Sequence, residues 1–426
     1  MKLLLIGPSV YYDDGSIFEK QRILFPRMNL IYLAGLTPKD VEVEIVEELA
    51  EDIDFETECD LVGITAFTCQ APRAYGIASE FRKRGKTVIM GGIHVSALPS
   101  EAIEHVDSII IGEADNLWPT VIDDFKNKKL KRVYECSQLH NLKDLPSPRY
   151  DLVKKKNYIM PFMPVQASRG CPHNCDFCTV TKFFGGSYRL RPIDDIIRDI
   201  KASGSKRIIF VDDNILANRK YARELFTRLI PLKIQWFSQC TVNIGRFPDL
   251  CRLAAKSGSL GVAVGVDSIS QASLNIVGKR QNKVSDFYRL LKSARKNGLS
   301  ISLSVIVGLD GDDKDIFNGT VKFISRIKPF LTVLNVPIPY PGTGMANKLE
   351  VENRLLHKDW SRYRGVNVVF SPKLLDRRQL ETEALSMYKK LYTFKSIVIR
   401  SLSQPLRNIL RTFLSNIIMR RSIYEV

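Results

Sequence analysis

The sequence has 426 residues, 45% of them apolar and 26% charged, which is long enough for two or three domains with sizeable cores and argues against a low-complexity or disordered chain. Eight cysteines without a secretory signal favour a reducing, cytoplasmic setting over disulfides, and no apolar run approaches the roughly 20 residues of a membrane-spanning helix. The net charge of +17 is spread along the chain without a recognisable nucleic-acid module, so nucleic acid is not favoured as a partner.

Short apolar runs alternate with helical patterns in the first part of the chain. Strand-like runs lie at 2–7, 41–46, 60–65, 86–92 and 108–113. Strands separated by helices form parallel sheets with right-handed crossovers. The pattern predicts a doubly wound, Rossmann-like α/β domain over residues 1–130.

Polar loops rich in small residues follow three of these strands, where doubly wound sheets bind their ligands. The candidate binding residues in these loops are Thr65, Thr68, Gly91, Gly92, His94, Gly112 and Glu113. None of the five histidines follows an aspartate by two residues, so the DxHxxG motif is absent. His94 is the nearest histidine to these loops, and a lone loop histidine can equally be structural.

A proline-punctuated linker is predicted over residues 131–160, and three cysteines follow it with the spacing CxxxCxxC. Thiolates of Cys171, Cys175 and Cys178 can hold three corners of a cubane iron–sulfur cluster and leave one iron open. A zinc site is the alternative, but zinc usually needs a second ligand pair, and Cys240 and Cys251 lie far along the chain. A purely structural role for the cysteines is a third reading.

Strand and helix patterns alternate again over residues 161–345. Strand-like runs lie at 163–168, 207–211, 234–238, 261–266, 301–307 and 331–336. Helical patterns between them cover Pro192 to Ser203, Arg219 to Ile230, Pro248 to Ser257, Val284 to Asn297 and Asp312 to Ile327. Six βα repeats predict a partial (β/α)6 barrel of the TIM type, with its site at the carboxyl ends of the strands.

The predicted strand ends of the barrel carry polar residues or glycine. Asp212, Asp213 and Asn214 follow the second strand, Asp267 and Ser268 end the fourth, and Gly308 follows the fifth. Carboxylate and amide oxygens accept hydrogen bonds from cationic ligands. The same residues would also suit helix caps or ordinary strand-to-helix turns.

A mostly helical extension with a basic, amphipathic tail is predicted over residues 346–426. From Lys389 to Tyr424 there is no Asp or Glu, whereas basic residues stand at Lys389, Lys390, Lys395, Arg400, Arg407, Arg411, Arg420 and Arg421. Apolar residues recur with helical spacing at Leu406, Ile409, Leu410, Phe413, Leu414, Ile417 and Ile418. This face either docks on the barrel as core or lies on a membrane surface.

The CxxxCxxC loop, with Phe177 before its last cysteine, resembles the signature of the radical S-adenosylmethionine (SAM) superfamily. The loops of the first domain, with Gly-Gly-x-His-x-Ser and Gly-Glu-x-x stretches, resemble the cobalamin-binding domain of one large subgroup. That subgroup commonly lacks the DxHxxG histidine as well. A vestigial cobalamin-like fold without the cofactor also remains open.

The resemblance implies a 4Fe-4S cluster on Cys171, Cys175 and Cys178, with SAM on the open iron and reductive cleavage to methionine and a 5'-deoxyadenosyl radical. It implies that Asp212, Asp213 and Asn214 receive the SAM ammonium group, where the family usually has a Gly-Gly-Glu-like motif. Asp267 and Ser268 would bind the ribose, and Gly308 and Phe177 would adjoin the adenine. Each assignment is an expectation from the family motif.

The activity implied is cobalamin-dependent methylation of an unactivated carbon in an apolar, lipid or isoprenoid-like small molecule. Radical cyclisation, oxidation or carbon–carbon coupling without methyl transfer are alternatives within the same architecture. An RNA-modifying enzyme and a non-catalytic iron–sulfur protein are readings from other classes. The expected partners are an electron donor such as flavodoxin or ferredoxin and, through the tail, the inner face of a membrane.

Overall fold

The computed structural model describes residues 1–20, 23, 25–159 and 162–424, with the side chains of 407 and 422–424 left out. The predicted junction of linker and barrel at residues 160 and 161 lies outside the described residues, as does the side chain of the predicted tail residue Arg407.

The first sheet has six parallel strands in the order β2-β1-β3-β4-β5-β6. The strands are β1 (Lys2–Gly7), β2 (Glu42–Glu47), β3 (Leu61–Thr65), β4 (Thr87–Gly91), β5 (Ser108–Ile111) and β6 (Val133–Glu135). The five strands predicted from the sequence are present. The sixth comes from the predicted linker and pairs with β5, so the division at residue 130 stays a prediction.

Helices cover both faces of this sheet. They are α1 (Met28–Leu36), α2 (Ala71–Lys83), α3 (Ile93–Ala97), α4 (Pro99–His105) and α5 (Trp118–Lys126). Leu4 and Ile6 of β1 belong to the core on the α2 side, whereas Leu3 and Leu5 belong to the core that includes residues of α1 and α5. Because successive strand residues point to opposite faces, this alternation buries both sides, and the doubly wound prediction is confirmed.

The second sheet is a six-stranded parallel sheet in the order β14-β13-β12-β11-β10-β7. The strands of this part of the chain are β7 (Met163–Val165), β8 (Ser168–Gly170), β9 (Tyr188–Leu190), β10 (Arg207–Phe210), β11 (Gln235–Thr241), β12 (Ser259–Asp267), β13 (Ile301–Ile306) and β14 (Thr332–Asn335). The remaining two, β8 and β9, form an antiparallel hairpin. The predicted six-stranded partial barrel is confirmed, and the hairpin that frames the cysteine loop was not predicted.

The barrel helices are α6 (Thr179–Phe183), α7 (Ile193–Ala202), α8 (Arg219–Leu229), α9 (Pro248–Lys256), α10 (Gln271–Ile276), α11 (Val284–Lys296) and α12 (Asp315–Ile327). The last one begins three residues later than predicted. The carboxylate of Asp312 accepts hydrogen bonds from the backbone N–H groups of Gly308 and Leu309, 3.0 and 3.1 Å away. This side chain closes the turn after β13 and therefore does not begin the helix.

Four further helices form the carboxyl-terminal extension: α13 (Gly344–Val351), α14 (Arg377–Leu391), α15 (Phe394–Leu402) and α16 (Ile409–Tyr424). The hydroxyl groups of Tyr388 on α14 and of Tyr392 just after it each donate to a backbone carbonyl of β14 and accept from a backbone N–H of that strand. These contacts satisfy polar groups on the edge strand of the partial barrel. Within the described residues, no helix is both long and apolar enough to cross a membrane.

Candidate active site

One cavity of about 460 Å³ lies at the carboxyl ends of the first sheet, within the range of small-molecule sites. Five of the residues predicted for this domain line it: Thr65, Gly91, Gly92, Gly112 and Glu113. Gly92 has φ +107°, and a Cβ there would lie 3.0 Å from the carbonyl oxygen of Ala66. A larger residue at this position would strain the backbone and crowd the adjacent loop.

The barrel supplies the opposite wall of the same cavity. Gln166 and Val211 directly follow β7 and β10, so the carboxyl ends of both sheets face one space. Phe183 and Phe184, at the end of α6, line it as well. Because α6 begins directly after Cys178, the cysteine loop adjoins the cavity wall.

His94 and Thr68 are not brought into this lining. His94 is fully buried, with its Nε2 3.0 Å from the Tyr75 hydroxyl and 3.3 Å from a carboxylate oxygen of Glu101. The indole of Trp360 packs edge-on against the imidazole at a ring-centre distance of 5.7 Å and donates to Glu101. These contacts agree with the alternative that His94 has a structural role. Through Trp360 they join the carboxyl-terminal extension to the first domain.

Buried ion pairs connect the two domains beside the cavity. Arg169 of β8 lies 2.7 Å from a carboxylate oxygen of Asp115 and 3.3 Å from one of Glu113, and Arg189 of β9 also pairs with Glu113. The Tyr32 hydroxyl donates to Asp115. Burial alone would raise the pKa of Asp115, but the Arg169 guanidinium outweighs it and lowers that pKa. Glu113 therefore joins the two domains, and its assignment to cofactor binding stays a prediction.

The three predicted cluster ligands lie together between β8 and α6. Each thiol of Cys171, Cys175 and Cys178 is partly buried, and burial raises the pKa of all three. The buried Lys279 ammonium interacts electrostatically with each of them. In the described part of the chain, no three His, Cys, Asp or Glu side chains form a single-ion metal site. Phe177 is half-buried in this loop.

The predicted acceptors after β10 separate into different environments. Asp212 is fully buried, and its carboxylate accepts from the Ala167 backbone N–H at 3.0 Å and from the Ser168 hydroxyl. Burial raises the pKa of Asp212 to about 7 and that of Asp213 to about 6. Asp213 interacts electrostatically with two of the cysteines, and the Asn214 side chain hydrogen-bonds Cys171. Asp213 and Asn214 thus lie by the cysteine loop, whereas Asp212 is occupied in joining two strands.

The side chains at the end of β12 contact other residues of the protein. Asp267 has φ +63° and forms an ion pair with Lys279. The Ser268 hydroxyl lies 3.4 Å from Asp312 and accepts from the Ser270 backbone N–H at 3.0 Å. Asp267 and Lys279 form a charged pair between the strand end and the cysteine loop. The assignment of Asp267 and Ser268 to the ribose stays a prediction.

Gly308 is close to a side chain of the extension. It has φ +98°, and a Cβ there would lie 2.4 Å from Leu380 Cδ2 on α14. A glycine is therefore required at this position by packing of the protein itself, whatever it contributes to adenine binding.

Several residues of the site were missed in the sequence. Arg169 and Arg189 occupy the two strands of the unpredicted hairpin, and Lys279 follows the short helix α10. No spacing in the sequence marks Lys279, because helix α10 separates it from the end of β12. The pairing of the arginines depends on contacts between domains, which spacing alone does not reveal.

Residues 165–324 match the Radical SAM superfamily. The chain is 31% identical to the bacteriochlorophyllide d C-8(2)-methyltransferase of Chlorobaculum tepidum, covering 92% of this chain and 90% of that protein. It is 25% identical to the anaerobic magnesium-protoporphyrin IX monomethyl ester cyclase of Cereibacter sphaeroides, covering 93% and 71%.

The fold is similar to that of the radical SAM methyltransferase TsrM from Kitasatospora setae, solved with cobalamin and a 4Fe-4S cluster bound. The TM-score is 0.71 at 15% identity, and the alignment covers 99% of each chain. At this identity the likeness concerns the fold. Together with the methyltransferase relative, these matches show that the chain belongs to the radical SAM superfamily and has the fold of its cobalamin-dependent members.

Proposed function

We propose that this chain is a cobalamin-dependent radical SAM enzyme that methylates an unactivated carbon of an apolar small molecule. The observation that carries the proposal is the single cavity lined by the carboxyl ends of both sheets, with the cysteine loop beside it. A corrin on the first domain and a cluster on the barrel would then serve one reaction space.

The residues present are suited to these groups. Cys171, Cys175 and Cys178 in one loop would provide three thiolate ligands to the cluster and leave its fourth iron open for SAM. The strand ends of the first domain carry Gly91 and Gly112 on the cavity wall, where the lack of side chains leaves space for a flat macrocycle. Apolar side chains supply much of the remaining wall.

The bound cluster and SAM would supply a 5'-deoxyadenosyl radical, and the corrin a methyl carrier. The chain's own residues prepare the site for this chemistry. The Lys279 cation favours the thiolate forms of the cysteines, and Asp213 and Asn214 offer oxygen acceptors beside them. Arg169, paired with Asp115, holds the two domains together beside the cavity.

The substrate class follows from the cavity wall and the relatives. Leu5, Ile64, Ile89 and Ile110 give the first-domain side of the cavity an apolar character. Two relatives that span most of this chain are named for reactions on tetrapyrroles. The sequence predicts a lipid or isoprenoid-like substrate. We add tetrapyrroles to these apolar candidates and propose them as the first class to test.

Radical cyclisation without methyl transfer is the second candidate, favoured by the similarity to the magnesium-protoporphyrin cyclase. The two reactions differ in their products from SAM, because methylation forms S-adenosylhomocysteine and cyclisation does not. Either reaction needs a one-electron donor such as flavodoxin or ferredoxin. The peripheral membrane contact expected from the tail is independent of this choice.

The test is product analysis of the anaerobically reconstituted enzyme with dithionite, SAM and candidate tetrapyrrole or isoprenoid substrates. Formation of both 5'-deoxyadenosine and S-adenosylhomocysteine, with a methylated product, would support methylation. Substrate conversion with 5'-deoxyadenosine alone would assign the chain to cyclisation or another radical reaction. Binding of a cluster without SAM cleavage would support a non-catalytic iron–sulfur protein.

A further inference from the structure

The last helix, α16, packs against the barrel by its polar face. Asn408, Thr412 and Asn416 recur every four residues and are fully buried. The Asn408 amide donates to the Leu260 carbonyl at 3.2 Å and to the Ser300 hydroxyl at 2.8 Å, and the Asn416 amide donates to the Phe330 carbonyl at 2.8 Å. These contacts fix the rotation of the helix at the amino-terminal end of the barrel strands.

The apolar side chains on the other side of α16 and in the turn before it consequently point outward. Leu406 in that turn is 89% exposed, Leu410 and Leu414 on the helix are 66% and 51% exposed, and Leu402 at the end of α15 is 69% exposed. The sequence left two interpretations of the tail, in which its apolar face either docks on the barrel or lies on a membrane. The helix α16 does dock on the barrel, but it does so through its polar face. A folded protein rarely leaves such a stripe in water without a partner for it.

A basic cavity of about 630 Å³ adjoins the start of this stripe. Its wall includes Ser403, Gln404 and Pro405, which connect Leu402 to Leu406. The described lining contains no carboxylate and five cations: Lys292, Arg295, Lys296, Arg326 and Lys328. An anionic group next to an apolar stripe is the chemistry of a phospholipid at a bilayer surface.

The individual cations differ in their contacts. Arg295 donates to the backbone carbonyls of Ile327 and Ser403 and so helps to build the wall. Arg326 lies over the Tyr288 ring at 4.0 Å, and the exposed Lys292 ammonium lies 5.9 Å from the centre of the same ring. Lys296 is exposed at the rim as well. Both rim lysines can therefore turn their ammonium groups toward an incoming phosphate without breaking an ion pair among the described residues.

We propose that this surface, the stripe Leu402–Leu406–Leu410–Leu414 together with the basic cavity, docks the protein on an anionic phospholipid bilayer. The phosphate headgroup enters the basic cavity, and the leucine side chains enter the interface between headgroups and acyl chains. The surface lies at the amino-terminal end of the barrel, opposite the strand ends that line the active-site cavity. Docking would leave that cavity open to solvent, and the proposal does not depend on the reaction catalysed.

The experiment is vesicle co-sedimentation of the full-length protein, reconstituted with its cluster, using phosphatidylcholine vesicles with and without phosphatidylglycerol. Leu406→Ser/Leu410→Ser should lower partitioning at least about tenfold, since two leucines leave the interface. Lys292→Glu/Lys296→Glu should lower it at least about 25-fold, or about fivefold for each lysine. Val351→Ser, another strongly exposed apolar position, and Lys220→Glu are matched controls that should bind as wild type.

Other outcomes would overturn the proposal. Equal binding to both vesicle types, or unchanged binding in either double variant, would show that this surface does not dock on anionic lipid. Inorganic phosphate and transfer RNA are added as competitors. Tight binding of phosphate without vesicle binding would indicate a small-anion site, and RNA binding that depends on the rim lysines, without vesicle binding, would assign the surface to nucleic acid.

Discussion

Replacing Arg169 by alanine is expected to destabilise the contact between the two domains by about 3–5 kcal/mol, the cost of breaking a buried ion pair. The Arg169 and Asp115 side chains are 6% and 4% exposed, with 2.7 Å between nitrogen and oxygen. Without Arg169, Asp115 keeps the Tyr32 hydroxyl as a partner but loses its counter-charge, whereas Glu113 keeps Arg189. The loss should therefore come mainly from the stranded aspartate.

The matched control is Arg149→Ala. Arg149 pairs with Asp151 at the same 2.7 Å distance, but the two side chains are 42% and 61% exposed. An exposed pair contributes only about 0–1 kcal/mol because water screens it. Urea denaturation of the reconstituted proteins, followed together with release of cobalamin, measures both variants. Similar midpoints for the two variants would refute the argument that burial makes the Arg169 pair important.

The same pair predicts a pH dependence. The pKa of Asp115 is lowered in the folded protein, so its stabilising contribution is present above the unfolded value of about 3.9 and is lost as the pH falls through the lower folded value. The difference in stability between wild type and Arg169→Ala should be largest near neutral pH and shrink on acidification, because without Arg169 burial raises the pKa of Asp115 and protonation relieves the stranded carboxylate. A difference that grows on acidification would contradict the sign of this shift.

Three further substitutions distinguish ligand-binding from packing roles. Cys175→Ala should abolish both cluster content and SAM cleavage. The control Cys59→Ala, in the core of the first domain, should retain both. A Cys175 variant with full cleavage would refute the ligand assignment. His94→Gln should retain cobalamin after desalting, because His94 lies outside the cavity lining, and loss of cobalamin from a folded variant would restore it as a contact. Gly308→Ala should lower stability by about 1–3 kcal/mol, because a side chain at φ +98° is strained and would overpack against Leu380, and the loss should be smaller when it is measured in a Leu380→Ala background; no loss in thermal denaturation would contradict the close approach.

The strand pattern and most loop candidates could be predicted because they depend on local sequence. Mostly apolar runs such as 2–7 and 261–266 indicate buried parallel strands from local sequence alone. Gly91, Gly92 and Gly112 were found because ligand loops follow such strands. The strand β6 in the predicted linker was missed because it has only three residues, Val133–Glu135, which are too few to show an alternating pattern.

The roles of individual polar residues depended on tertiary contacts. Asp212 and Asp213 are adjacent and chemically identical, yet only the fold shows that one joins two strands while the other faces the cysteine loop. Similarly, the period of α16 reveals an apolar face but not which face packs. Asn408, Thr412 and Asn416 are spaced by four residues, and this polar stripe was the available signal for the reversed orientation.

The proposed cobalamin-dependent reaction is tested most directly by measuring whether the shared cavity holds cobalamin. The protein is reconstituted anaerobically with iron, sulfide and hydroxocobalamin, desalted, and assayed for bound cobalamin and for 5'-deoxyadenosine after dithionite and SAM are added. Ala114→Trp fills the cavity, and Ala272→Trp, at an exposed position of α10, is the control. Wild type and control should retain cobalamin, whereas Ala114→Trp should lose cobalamin but keep the cluster. Cobalamin retained by Ala114→Trp, or a wild-type protein that forms its cluster and 5'-deoxyadenosine without holding cobalamin, would refute the proposed function.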